Sequence, residues 1–321
     1  MGPLLAPAPS RLRGAPLGRA VRVAFVGQAT FFEACSLQGR HGRLHASFLE
    51  FRAGASVATL LAQLARRRPD VVIVFRPEII PPGAFAQLPA ATVGFLTEPL
   101  PRGAETHSDL QRRLAELGHV DVANFDRIIS FDPLIADTAA ALLPVWRSLP
   151  LPVADRFFTP PPLPAFGDPP RLLFVGRSTP HRERLLTPVK HEYDLLHVAF
   201  GVSAERLAGL LVEHDVGINV HNEPYPSFEN RVCLHLAAGH LVLSEPVSPT
   251  HGLEPGLDFL EFDSAVGLVH LVERMRRFPG MWNRVRIRGR LKAEQFRASH
   301  VYARLISDLY ADLEAFGSER A

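Results

Sequence analysis

Residues 149–171 read LPLPVADRFFTPPPLPAFGDPPR, with eight prolines in 23 positions. Proline lacks a backbone N–H and clashes with the preceding helical turn, so this stretch can be neither a helix nor a central strand. Its composition predicts an extended, fairly stiff linker. On either side of it the same pattern begins, an apolar run closed by glycine. It reads VRVAFVG at residues 21–27 and RLLFVG at residues 171–176. A linker between two copies of one pattern predicts two similar domains, and 321 residues exceed what a single core usually fills.

The first half alternates short apolar runs with helical stretches. Residues 45–51, 70–75, 91–96 and 127–131 are runs of the kind a parallel sheet buries on both faces. Between them, residues 57–68 place apolar side chains at 57, 60, 61 and 64, and residues 107–117 are amphipathic at the same period. Such alternation predicts a doubly wound α/β domain. Beyond the linker, strands at 195–200, 216–220 and 241–243 alternate with helices, and three further helices close the chain. The expected organisation is a disordered tail over residues 1–20, one domain over 21–148, the linker over 149–170, a second domain over 171–300, and a final helix over 301–321 that returns to the first domain.

Composition removes several function classes. Lys and Arg number 35 against 33 Asp and Glu, a net charge of +2, so nothing suggests a nucleic-acid partner. No apolar run approaches the roughly 20 residues of a membrane span. The first 20 residues have no continuous apolar segment of the secretory kind; they share an Arg-rich, acid-poor composition with transit peptides, and a disordered tail is the expected reading. Cys35 and Cys233 are far apart in apolar helical surroundings, which suits inert packing in a reducing compartment. A cytoplasmic protein is expected.

Two loops concentrate polar chemistry. Residues 216–243 read VGINVHNEPYPSFENRVCLHLAAGHLVL: a buried strand, a loop rich in amide, carboxylate and imidazole groups, a helix ending at Gly239, and a second buried strand. Loops at the carboxyl ends of parallel strands form ligand crevices, and a helix N-terminus favours an anion. The second loop, GRSTPHRER from Gly176, sets Ser178, Thr179, Arg177, Arg182 and Arg184 around another helix start, a grouping suited to a diphosphate. The alternative reading of either loop is an ordinary solvated connection, and the ligand site is the favoured one for residues 216–243. Neither carries the G-x-G-x-x-G dinucleotide fingerprint. Asn230 and Arg231 open the helix, and Arg231 and His235 are spaced i, i+4 on one face. Residues 274–297 hold nine Arg or Lys. This run reads as a solvated helix more than a membrane-docking stripe, with Trp282 and the neighbouring Phe residues as core anchors.

The two-domain plan, the V-G-R loop at 175–177, the D-V-G-I-N strand at 215–219 and the N-R-V…A-A-G-H-L-V-L run from Asn230 resemble GT-B glycosyltransferases. The resemblance is nearest to the group-1, spore-maturation-type branch; it is good over residues 171–313 and only architectural before them. It implies two Rossmann-like, doubly wound domains facing across a cleft. It also implies a nucleotide-diphosphate-sugar donor on the C-terminal domain and an acceptor on the N-terminal one: a saccharide, a lipid-linked molecule or another hydroxyl compound. No cofactor and no metal are expected, since basic side chains neutralise the leaving diphosphate, and retention at the anomeric carbon follows from the resemblance alone.

Carried over by motif, Gly176, Arg177 and Ser178, with Arg182 or Arg184, contact the diphosphate, while Asn222, Asn230 and Arg231 line the donor site. Many relatives carry E-x7-E, and Ser227 and His235 stand at those positions here. That departure leaves a catalytically degenerate binding protein as an alternative, followed by a nucleotide-sugar epimerase. Arg177 and His235 are the expected catalytic groups of the second domain. For the acceptor base, Glu98 is placed first by its position after a strand end, ahead of Glu33 and Glu78.

Overall fold

A computed structural model describes residues 19–98, 108–135, 142–199 and 201–318. The described chain divides into two compact units, unit 1 drawn from 19–98, 111–135, 142–149 and 299–318 and unit 2 from 108–110, 150–199 and 201–298. The strands are β1 (Val21–Gly27), β2 (Gly39–His41), β3 (Leu44–Glu50), β4 (Val71–Phe75), β5 (Ala91–Leu96), β6 (Arg127–Ser130), β7 (Val145–Ser148), β8 (Leu172–Val175), β9 (Leu195–Val198), β10 (Val216–Asn219), β11 (Leu241–Ser244) and β12 (Leu260–Glu261). The α-helices are α1 (Ala29–Phe32), α2 (Val57–Arg67), α3 (Ser108–Leu117), α4 (Pro180–Glu192), α5 (Ala204–Glu213), α6 (Asn230–Ala238), α7 (Ala265–Arg277), α8 (Asn283–Lys292) and α9 (Ala298–Phe316).

Unit 1 is built on a sheet in the order β2-β3-β1-β4-β5-β6-β7, parallel except where β2 pairs antiparallel with β3. All five residues of β4 and all six of β5 are buried, as expected of strands covered on both faces. The last helix, from Ser299 onward, belongs to this unit. Tyr302 is fully buried and donates to the Cys35 carbonyl at 2.7 Å, and the Arg127 guanidinium meets Asp312 at 2.5 Å.

Unit 2 carries an all-parallel sheet, β12-β11-β10-β8-β9. Renumbered from its own first strand this is the order 2-1-3-4-5, whose chain direction reverses between β8 and β10. Helix α4 starts at Thr179, whose hydroxyl accepts from the Arg182 N–H at 3.3 Å. Helix α6 ends at Gly239 in the left-handed region, φ 80°, where a Cβ would come within 2.7 Å of Leu163. Glycine is required there twice over, as a cap and as a gap.

Two sequence expectations change. The proline-rich stretch is extended, but it is packed against unit 2 rather than spanning open solvent. Val153 bridges to Arg297, Thr159 donates to the Ala237 carbonyl at 3.0 Å, and Phe157 and Phe158 are buried. The second change is in the basic run. Trp282 is half-buried against the core and Phe296 is buried, as expected, whereas Phe278 is 58% exposed. Instead Arg286 and Arg290 are buried, donating to the carbonyls of Gly239 (2.5 Å), Pro164 (2.7 Å) and Thr159 (2.7 Å). Their long side chains tie α8 to the very stretch whose prolines leave its carbonyls without ladder partners.

Candidate functional site

Ligand crevices of open parallel sheets lie outside the carboxyl ends of the strands where the winding reverses. In unit 2 that point falls between Gly176, after β8, and the loop at 220–229, after β10. The polar residues singled out in the sequence gather there, arranged around three groups: Arg182, Arg231 and Phe174.

Arg182, on the first turn of α4, is 2% exposed. Its Nε donates to the carbonyls of Val220 and His221, both at 3.1 Å, and its Nη1 to the Arg177 carbonyl at 3.0 Å. Arg231, on the first turn of α6, sends Nε to the Val175 carbonyl at 2.8 Å and Nη1 to Asn219 Oδ1 at 2.8 Å. Both guanidiniums lie near the ring of Phe174, 5.3 and 5.2 Å from its centroid. Gly176 makes this approach possible. A Cβ there would sit 3.0 Å from Arg231 Nη2 and 3.2 Å from Arg182 Nη1.

Two like charges so close need an anion. Glu229 supplies one, with one oxygen 3.5 Å from Arg182 Nη2 and the other 3.3 Å from Arg231 Nη2. One carboxylate between two guanidiniums leaves the group a net positive charge. Burial, and then repulsion from Arg231, push the Arg182 guanidinium down to about 9. An added anion would relieve that strain directly.

The rim is more open. Exposed Arg177 donates from Nε to Asn222 Oδ1 at 2.8 Å, and Thr179 donates to the Asn222 carbonyl at 2.9 Å, so the two loops are stitched together. Ser178 donates to Glu183 at 2.6 Å. Arg184 is exposed and donates to His181 Nδ1 at 3.3 Å. With Nδ1 accepting, His181 Nε2–H donates to Glu245 at 2.9 Å; the same carboxylate accepts from the His221 backbone N–H at 2.7 Å. The sequence reading passed over Glu245 and His181. The signal available for Glu245 was its position just beyond β11, where the strand ends gather.

Gly176, Arg177, Ser178, Arg182, Asn222 and Arg231 therefore share one crevice, with Arg184 at its edge and Asn230 at the start of α6. Two expected residues do not face it. Ser227 is buried and bonds His221 Nδ1 at 3.0 Å, while His221 Nε2–H donates to the Pro246 carbonyl at 2.8 Å. His235 has no exposed surface at all. Its ring fills the space over Gly217, where a Cβ would fall 2.1 Å from His235 Cγ. The hydrogen-bond chain fixes its tautomer: His240 Nε2–H donates to the Leu211 carbonyl at 2.7 Å, so His240 Nδ1 accepts from His235 Nδ1–H at 3.0 Å. That leaves His235 Nε2 a bare lone pair with no hydrogen bond. Burial holds the His235 ring well below the usual imidazole range and His240 at about 4, so both are neutral. The expectation that His235 shares a working face with Arg231 is corrected: α6 lies flat on its sheet, turning residue 235 onto β10 while Arg231 reaches the strand ends.

In unit 1, Glu98 accepts from Arg113, and Glu78 is paired with Arg76 at 2.7 Å. Burial raises the Glu78 carboxyl above its usual range, against the pull of Arg76. Among the described residues no three His, Cys, Asp or Glu side chains group as metal ligands, and no helix is long and apolar enough to cross a membrane.

No protein-family model and no curated relative matches the sequence. Solved structures do. Anabaena HepE, crystallised with UDP-glucose, matches over 91% of this chain and 100% of its own with a TM-score of 0.56 at 11% identity. Sucrose-phosphate synthase from Thermosynechococcus elongatus matches over 92% and 99%, with a TM-score of 0.58 at 14% identity. AviGT4, a glycosyltransferase of avilamycin A biosynthesis, covers 92% and 98% at a TM-score of 0.55 and 14% identity. Likeness at such low identity speaks for architecture, and the architecture is the GT-B fold of glycosyltransferases.

Proposed function

We propose that the protein is a glycosyltransferase that moves a sugar from a nucleotide-diphosphate sugar to an acceptor hydroxyl. The observation that carries this reading is the guanidinium pair Arg182 and Arg231, closed over Gly176 at the winding reversal of unit 2. The UDP and UDP-glucose complexes of HepE support a uridine donor. In the transfer step the sugar–oxygen bond to the diphosphate breaks and negative charge accumulates on the departing phosphate oxygens. Fixed positive groups aimed at that charge lower the barrier. Arg177, exposed and held in place by Asn222, is the group free to reach the phosphates, and Arg182 and Arg231 supply the field behind it. Ser178, Arg184 and Asn230 complete the donor contacts.

On this reading the basic side chains do the work that a divalent ion does elsewhere, so EDTA leaves activity unchanged. Retention and placement near the spore-maturation-type branch rest on the motif resemblance, and a cytoplasmic site of action on composition. Cys35 and Cys233 are buried thiols outside any disulfide, which fits a reducing compartment. Unit 1 supplies the acceptor base, Glu98 or the desolvated Glu78.

The test pairs UDP-, GDP- and dTDP-sugars with candidate acceptors and follows both thermal stabilisation and transfer. Arg177→Ala is expected to weaken UDP binding by about 1.5–3 kcal/mol, the worth of a hydrogen bond to a charged group. Unchanged affinity removes Arg177 from the site. One observation favours a second reading, a nucleotide-binding protein without transferase chemistry: Ser227 and His235 both turn into the protein. Stabilisation by nucleotide with no transfer or hydrolysis in any combination would select it.

A further inference from the structure

Helix α8 is built inside out. Its buried face carries Arg286, Gly289 and Arg290, while Ile287 (47%) and Leu291 (55%) point to solvent. The turn before it adds Phe278 (58% exposed) and Met281 (46%). On α8, Arg284, Ile287, Arg288 and Leu291 fall at i, i+3, i+4 and i+7, a stripe about 10 Å long, with Met281 in the turn before it. Four large apolar side chains along one short edge are not the scatter that ordinary surfaces show.

The charges around the stripe have one dominant sign. The segment also carries Arg274, Arg276, Arg277, Arg284, Arg288 and Lys292, of which Arg274 donates to Met281 Sδ at 3.7 Å while Arg276 lies over the Tyr193 ring. Glu254 and Asp258 engage Arg288 at 2.9 Å each, and Glu273 engages Arg277 at 2.5 Å. Arg284 is exposed and free of any carboxylate. The acidic groups near the stripe are thus outnumbered two to one by basic ones.

We propose that this edge of unit 2, residues 274–292, rests on an anionic lipid surface. Phe278, Met281, Ile287 and Leu291 enter the headgroup boundary, and the arginines meet lipid phosphates. Charge complementarity selects the partner, and the form of the stripe agrees. Four flexible or aromatic side chains accompanied by guanidiniums are what an interfacial segment presents. The geometry also accounts for the buried arginines. With Arg286 and Arg290 turned inward to carbonyls, the helix keeps its apolar side chains for the outside. The inference does not depend on the sugar-transfer reading.

The test is co-sedimentation of the full chain with vesicles of phosphatidylcholine alone and of phosphatidylcholine with about 30% phosphatidylglycerol. Binding is expected only to the anionic vesicles, and it weakens as salt rises towards about 1 M, where charges are screened within roughly 3 Å. The triple variant Phe278→Ser/Ile287→Ser/Leu291→Ser should lose at least about tenfold in vesicle partitioning, since each apolar side chain contributes separately. Arg284→Glu should lose severalfold. Both variants alter exposed positions, so thermal unfolding and UDP binding serve as controls and should match the wild type. Three results would overturn the proposal: wild-type protein that stays in the supernatant with anionic vesicles, equal binding to neutral ones, or variants that pellet like the wild type. Concentration-dependent self-association in the ultracentrifuge that the triple variant abolishes, without vesicle binding, would assign the stripe to a second copy instead.

Discussion

Unit 1 and unit 2 wind their parallel strands in the same order, so each has a reversal point, between β1 and β4 in one and between β8 and β10 in the other. In unit 1 aromatic rings fill it. Phe32 stacks on Phe75 at 4.8 Å, Phe75 lies between Phe25 and Phe95, and a Cβ at Gly27 would meet Phe32 and Phe75 at 3.2 Å. Arg76 pairs with Glu78 there, the Glu50 carboxylate accepts from the Ala29 N–H at 2.6 Å, and Glu98 adds negative charge close enough to act on both members of the pair. In unit 2 the glycine at the corresponding strand end makes room for guanidiniums instead of rings, and a single phenyl group, Phe174, serves as their platform. The same topology therefore yields one mouth whose strand ends are filled by rings and edged by carboxylates, and another where two guanidiniums gather on a single ring. Topology says where a ligand could sit; the residues at two strand ends decide which chemistry waits there.

The largest expected effect separates the two mouths by stability. Arg182→Ala deprives the His221 and Arg177 carbonyls of the Arg182 donor, leaves the Val220 carbonyl to Arg231 alone, and leaves Arg231 as the one guanidinium of that pair on Glu229, so it should cost about 3–5 kcal/mol of folding free energy. Arg76→Ala breaks a partly exposed pair and should cost about 1 kcal/mol or less. Denaturant unfolding of the two variants measures both. Equal costs would mean that the unit 2 mouth is no more committed than the unit 1 mouth.

Acid sharpens the contrast next. His240 is held neutral at about 4 in the folded protein against 6.5 unfolded, so the unfolded state takes up the proton first as pH falls. Its contribution is complete above pH 6.5 and is lost progressively down to about pH 4, a loss of about 3 kcal/mol with His235 acting in the same direction. Folding stability followed against pH should therefore fall over that window, and His240→Gln should flatten the slope. A slope unchanged by the substitution would place the acid sensitivity elsewhere.

How much of this the sequence announces depends on where each partner lies. The strands β1, β4, β8 and β10 are legible because continuous apolar runs mean burial on both faces whatever lies next to them. The phosphate-type loop is legible because Gly176, Thr179 and Arg182 lie within seven residues and their roles are local. Edge strand β2, only Gly39–His41, has no apolar pattern to betray it. Arg286 and Arg290 looked solvated because their acceptors lie at residues 159, 164 and 239, far off in the chain. His235 shows the same limit. Helical spacing puts it beside Arg231, but only the absence of a side chain at Gly217, on a neighbouring strand, reveals where its ring goes.

The smallest effect tests the balance of charge in the unit 2 mouth. Glu229 already spans the two guanidiniums that an incoming diphosphate would address, and its oxygens lie 3.3 and 3.5 Å from their Nη2 atoms. A bound phosphate and this carboxylate compete for the same positive field. Glu229→Gln keeps the shape of the side chain and removes its charge, so the pair is left more electropositive. UDP affinity should rise by about 1 kcal/mol, roughly fivefold, while stability without nucleotide falls. The matching substitution in unit 1, Glu78→Gln, should leave UDP affinity untouched, because no guanidinium pair waits there for an anion. Calorimetric titration of the two variants decides it. Weaker binding in Glu229→Gln would show that the carboxylate holds the arginines in their working geometry rather than standing in the place of the phosphate. Tighter binding in that variant, with none in Glu78→Gln, would fix the difference between the two mouths as one of charge.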